Sequence, residues 1–476
     1  MLPKGVNHPK MRLKLNLTFV TTLLILFLSY GVTTIVFRTK PTSDFLYYWI
    51  LAHDASVYHK GGVLGILYSP LTNIPAYWAA FTINGALGAA AIVCLWAFAR
   101  SAPATEPVLL RLWSGATLVL AILACAPMAP VVSTDLPSLF LFVIGLSIYL
   151  LVEIAFVGAV GSMSRVGLLA LAGLALGTSA SLRQTYIVIA FVLLPTIAFV
   201  LQKRLRQEHT KASGVGNIVQ IRAFILSTLL VLIIATTALI TFEFLLLRAS
   251  KARDFAPSVV RSVISTGHNL TQDRSWCGGW SMELSRVGRQ RATEPLLHFT
   301  WERMRSTGWS NLPVLYRCKL RRFLGFAEFG AEWALYAPSG SNELLAEAIN
   351  VPIETINSAA TQSEVLRSPE EIRFLIQIAP IYLSFYETIG TLLKAAAAAM
   401  VIGYSLTARR TYGSGAGLVV LFVAALPFFA LVGLHVLLFE VQARYALPMW
   451  LLPPLSGWLA YRCFQRVLPD SRVGGV

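Results

Sequence analysis

Apolar runs of about 20 residues recur along most of the chain, each closed by a polar or basic turn, and one helical crossing of a bilayer needs that length. The pattern predicts helices over about 15–37, 71–98, 112–127, 136–157, 166–179, 186–201 and 221–247. About 130 residues of broken apolar character follow, rich in Trp, Arg and Glu. Three more runs cover about 381–406, a stretch that ends at Phe439, and about 446–460. Strand-like alternation is absent, and a segment in hydrocarbon must satisfy its own backbone, so the spans are helical. The expected fold is an all-α polytopic membrane protein with about ten transmembrane helices and a long extracytoplasmic loop domain. It divides into a seven-helix half at 1–247 with a first outer loop at 38–70, the loop domain at 248–378, and a three-helix part at 379–476.

Composition agrees with a bilayer setting: of 476 residues, 56% are hydrophobic and only 13% charged, against about 25% charged in soluble domains. The net charge of +16 falls largely in short loops and tails between the apolar runs, where it sets orientation. Lys4, Lys10, Arg12 and Lys14 precede the first helix, KRLRQEHTK follows the sixth, and Arg462, Arg466 and Arg472 close the chain. These clusters place both termini in the cytoplasm of a multi-pass protein of the cell (inner) membrane. Membrane lipid is the partner such charge suggests, and no nucleic acid is expected. The first apolar run is too long for a signal peptide and lacks a small-residue cleavage site, so it reads as a retained helix. The five cysteines have no metal-ligand spacing, and no cofactor or metal is expected. Cys277 and Cys318 share the long hydrophilic segment, as one disulfide or as two unrelated thiols.

Under this topology several polar groups gather at the outer surface. They are Asp44 in PTSDFLYYWILAHDASVYHKGG, Asp135 in VSTDLPS, Arg183 with Gln184 in SLRQT, and Arg444 in FEVQARYALP. Charged groups at one membrane level pair with each other or jointly hold a polar substrate. Each also has a plainer reading. Asp44 sits under an aromatic belt of Tyr47, Tyr48 and Trp49 and reads equally as a hydrated loop carboxylate. Asp135 fits an N-cap, Arg183 and Arg444 fit snorkelling, and Glu440 is spaced to pair with Arg444. Together, two acids and two arginines on one face suit phosphate recognition and proton transfer. His53, Asp54 and His59 are close in sequence but lack metal spacing, and no phosphate-binding glycine loop is present. Gly278 and Gly279 read as a turn. SNLPVLYRCKLRRFLGF is amphipathic and lies either along the membrane or in the core of the outer domain.

With these stretches in place, the chain resembles polytopic GT-C glycosyltransferases, in particular the bacterial branch similar to protein-mannosyltransferases of family 39. That branch has an acid in the first outer loop followed by aromatics and a closing glycine, matched here by Asp44, Tyr48 and Gly61. A second acid opens the fourth helix, as Asp135 does in VSTDLPSLFLF. The family's Arg-Pro after helix five is replaced by SLRQT, nearer the RQT of dolichol-linked glucosyltransferases. EVQARYALPMWLLPP fits the C-terminal arginine motif with Arg444 and Tyr445, and STGHNLTQDRSWCGGWS is similar to the outer-loop pattern of bacterial relatives. The resemblance implies a polyprenyl-phosphate sugar donor and a lipid-linked glycan or protein acceptor outside the membrane. It implies Asp44 and Asp135 as catalytic, Arg183 and Arg444 as holders of the donor phosphate, and Tyr48, Gln184 and Tyr445 as substrate contacts. The rival expectations are a transporter or flippase of a polar or glycosylated lipid, and a non-catalytic assembly subunit.

Overall fold

A computed structural model describes residues 17–39, 44–54, 62–101, 107–155, 163–209, 215–249, 256–270, 277–279, 281–291, 293–324, 346, 351–362, 367–439 and 447–467. Every apolar run forms a helix. In chain order the first nine are α1 Leu17–Phe37, α2 Asp44–His53, α3 Gly62–Tyr68, α4 Ala76–Ser101, α5 Val108–Cys125, α6 Asp135–Ala155, α7 Met163–Leu182, α8 Thr185–His209 and α9 Val215–Ala249. Then come α10 Ala256–Gly267, α11 Met282–Gln290, α12 Leu296–Thr307, α13 Leu312–Leu324, α14 Ile353–Gln362, α15 Pro369–Tyr412, α16 Ser414–Val432 and α17 Leu447–Val467. Strands are absent among the described residues; Leu270 and Cys277 form one isolated bridge.

Burial separates the bundle's centre from its rim. In α1 only a stripe is covered by protein (Thr22, Leu26, Tyr30, Thr33, Thr34, Phe37), while Leu24, Leu28, Val32 and Ile35 stand exposed. A helix apolar on all sides yet packed on one suits hydrocarbon on the others. In α6, by contrast, 78% of the apolar window is buried, against 28% in α1, so α6 is the central helix. It packs on α4 and α7. Close approach there depends on missing side chains: a Cβ on Gly145 would lie 2.7 Å from Leu176 Cγ, and one on Gly177 2.5 Å from Ala235 O of α9. Gly173 and Gly177 form a GxxxG stripe on α7.

Among the described residues, eight helices are long and apolar enough to cross a membrane. Of the ten runs read from the sequence, the other two are α8, whose apolar part covers only Thr185–Phe199, and α17. Residues 38–70 are not simply a loop. They hold α2 and α3, and the described side chains of α2 from Phe45 to Ala52 are all buried. FLYYWILA is apolar all round yet too short to span, so it packs inside the protein and Tyr47, Tyr48 and Trp49 join the core instead of an exposed belt. The long helix α15 begins at Pro369, well before 381. Its start is fixed by a capping box: Glu371 N–H donates to Ser368 Oγ at 3.2 Å and Ser368 N–H to Glu371 Oε2 at 3.1 Å, with Pro369 in the first turn. Glu371 also pairs with Arg38, and Arg367 donates to Phe37 O, so the end of α1 and the start of α15 meet at one level. Ser368→Ala is expected to cost about 1 kcal/mol, visible as a lower unfolding midpoint of the detergent-solubilised protein. An unchanged midpoint would show that the box contributes nothing.

Between α9 and α15, α10 to α13 form a small group of helices, of which α10 and α13 also touch the turn 433–438. Cys277 and Cys318 form a disulfide that closes 41 residues of sequence. Around it lie Leu312 and Leu315. Gly278 takes φ +61°, a turn conformation that agrees with the sequence reading. The amphipathic stretch forms α13, whose Leu312 and Leu315 pack around the disulfide while Phe323 joins the main core.

Candidate functional site

The segment 126–134, APMAPVVST, is buried throughout. Pro127 and Pro130 keep it from continuing α5, which ends in a tight turn at Ala126–Met128. Its carbonyls are met by side chains instead: Asn84 Nδ2 donates to Ala129 O at 2.9 Å, and Thr39 Oγ1 donates to Pro130 O at 2.6 Å. α6 begins where Ser138 N–H donates to Thr134 O at 3.1 Å. Thr134 therefore holds the capping position, and Asp135 is the first residue of the helix.

On the neighbouring hairpin, Arg183 N–H closes α7 on Ser179 O at 2.9 Å, and Tyr186 N–H opens α8 on Arg183 O at 3.0 Å. Ser179 Oγ donates to Ser138 O at 2.6 Å, which pins this break against the first turn of α6. Arg183 consequently forms an ion pair with Asp135, their side chains 17% and 7% exposed. So deep a pair is neither a plain helix cap nor a snorkelling arginine. It faces a narrow cleft. Thr185 and Tyr186 of α8 form one wall, and Leu431, His435, Leu447 and Pro448 the other. Tyr186 is 2% exposed, with Ser138, Asp135 and Arg183 as polar neighbours of its hydroxyl.

The other residues singled out in the sequence fall as follows. Asp44 is the first residue of α2. The Thr39–Pro130 bond joins the approach to Asp44 with the approach to Asp135, each bonded residue lying five positions upstream of its acid. Tyr48 is buried beside Tyr47, with ring centroids 5.2 Å apart, and is not among the residues lining the cleft. Gln184 is exposed in the turn between α7 and α8. Arg444, Tyr445, Glu440 and His59 lie outside the described residues; Leu447 and Pro448, three and four positions past Arg444, line the cleft. His53 is tied to its own helix through Trp49 O at 2.9 Å.

The sequence reading passed over Tyr186, Thr185 and His435. For His435 a signal existed, since an ionisable residue within the apolar run LVGLHVLLF is costly in a membrane and marks function by default. Glu294, His298 and Glu302, at the start of α12, come close enough to one another to hold a metal ion. Arg291 already pairs with both carboxylates there and holds the Glu294 carboxyl below its ordinary range, so the cluster is an ion-pair brace.

No family model matches the chain, and neither a curated protein nor a solved structure does. The cleft's own chemistry therefore carries the functional reading: one guanidinium, one carboxylate, a phenol, an imidazole and a hydroxyl among aliphatic side chains. Such a mixture suits an anionic head group joined to an apolar tail.

Proposed function

We propose that this protein is an integral-membrane glycosyltransferase. It transfers a hexosyl group from a polyprenyl-phosphate donor to an acceptor hydroxyl, on a lipid-linked glycan or a protein, at the extracytoplasmic face of the inner membrane. The observation that carries the reading is the buried Asp135–Arg183 pair facing a partly apolar cleft at the end of the bundle where α2 begins.

In this reading Asp44 accepts the proton of the acceptor hydroxyl as that oxygen attacks the anomeric carbon. The bond from the anomeric carbon to the phosphate oxygen breaks, and the polyprenyl phosphate leaves with an added negative charge. Arg183 and Arg444 stabilise that charge where it develops. Asp135 fixes the guanidinium plane of Arg183, which has five donors and keeps several for the phosphate after one carboxylate is engaged. Tyr48, Gln184 and Tyr445 are proposed substrate contacts. Ten spans with both termini in the cytoplasm complete the proposal. The meeting of the α1 end with the α15 start supports placing both on one side.

Purified protein in proteoliposomes supplied with a labelled polyprenyl-phosphate sugar tests it. Label transfer to an acceptor is the expected result. Movement of intact donor between leaflets without transfer would favour a flippase, and neither outcome would favour an assembly subunit.

A further inference from the structure

α16 does not end as an ordinary helix. Residues Gly433–Leu438 wind as a π-helix, a rare form found mostly as single turns and frequently at functional sites. The widened turn carries His435, 5% exposed, to the wall of the Asp135–Arg183 cleft. Its imidazole is held on two sides: Phe323 stacks on it at 5.5 Å, and Phe439 meets it edge-on at 6.2 Å.

The α10–α13 group grips the same turn. Lys319 is fully buried and its Nζ donates to Phe439 O at 2.8 Å. Lys319 and Phe323 are one turn apart on α13, just as His435 and Phe439 are one turn apart on their segment, so a single helical face clamps both ends of that turn. Gly278 makes room for the lysine stem, since a Cβ there would lie 2.6–2.8 Å from Cγ, Cδ and Cε of Lys319. Arg322 Nη1 donates to Cys277 O at 2.9 Å, and the Cys277–Cys318 disulfide sits beside the lysine. At the end of α10, a Cβ on Gly267 would come within 2.5 Å of the Phe439 carbonyl carbon. Beside it, His268 gives one ring nitrogen to Ile264 O at 2.8 Å, and burial pushes its pKa down to about 4, so no charge from it competes with Lys319 at neutral pH.

We infer that His435 contacts the phosphate of the lipid donor inside the cleft, and that Lys319 is the residue that positions it. This rests on the reading of the cleft as a lipid-phosphate site. An imidazole serves there because it donates a hydrogen bond to an anionic oxygen from a compact ring that stacking can lock in place. A merely structural histidine would have no reason to share a wall with a guanidinium and a tyrosine hydroxyl. Nor would the α10–α13 group need to seat a buried ammonium on the next turn.

The test compares binding of a polyprenyl monophosphate with that of the corresponding polyprenol to the full chain in detergent, beside thermal unfolding of each variant. Wild type should prefer the phosphate. His435→Ala should lower that preference about tenfold, equivalent to about 1.4 kcal/mol, with polyprenol binding unchanged. His435→Gln, which keeps a donor and most of the volume, should retain part of the preference, and it carries the comparison if the alanine variant does not accumulate. Lys319→Met should shift the preference in the same direction, and Lys319→Arg should restore it. If Arg183→Ala loses the preference while both His435 variants keep it, the inference is wrong and the cleft reading stands. If wild type shows no preference, both fail together.

Discussion

Arg183→Ala is expected to destabilise the protein by about 3–5 kcal/mol, the usual result of removing one partner from a buried ion pair. The Asp135 side chain is only 7% exposed, so its carboxylate would be left in a poorly solvated place with its guanidinium gone. Asp135→Ala should be costly for the reciprocal reason. The double variant should lose less than the sum of the singles, because no orphan charge remains. Unfolding midpoints of the four proteins in one detergent form the cycle, and additive losses would show that the pair is not energetically coupled. Turnover per folded molecule then separates the roles. If Arg183→Lys folds normally and transfers sugar at the wild-type rate, the arginine is a brace and no phosphate fork is needed there.

The second large effect is expected at Asp44. Asp44→Asn keeps the size of the side chain and removes the proton acceptor, and losing general-base assistance costs about a hundredfold to ten-thousandfold in rate. Donor binding should survive, because the phosphate is assigned to Arg183, Arg444 and His435. Asp54, exposed just past the end of α2, is the internal control, and Asp54→Asn should be far milder. Near-normal transfer by Asp44→Asn at wild-type abundance would remove it as the base and leave Asp135 as the next candidate.

Much of this architecture was legible from one property, the length of uninterrupted apolar sequence, because hydrocarbon permits few ways to satisfy a backbone. Where that property ceased to discriminate, the reading slipped. FLYYWILA is as apolar as a span but half as long, and only packing tells a buried short helix from an interfacial belt. The start of α15 was written in the sequence as SPEE, a capping signal that hydropathy ignores because those residues are polar. In the site, Asp135 and Arg183 could be selected as charges at one level. Their pairing depends on Ser179 reaching Ser138 O, a contact between two helices that neither local sequence implies. His435 was passed over although it is an ionisable residue in an apolar run, and a change of helical winding carries it to the cleft.

The cleft draws one wall from α6 and α8 and the other from the α16–α17 region. A ribosome delivers these walls far apart in time, the first while half the chain is still unmade. The Asp135–Arg183 pair closes within the early half, so the nascent bundle never waits in lipid with either charge exposed. The opposite wall arrives with the last hairpin to be inserted. A chain that stalls before Leu447 would therefore keep the ion pair but lack part of the facing wall. Under the proposed activity, competence to hold a donor would be the final event of biogenesis.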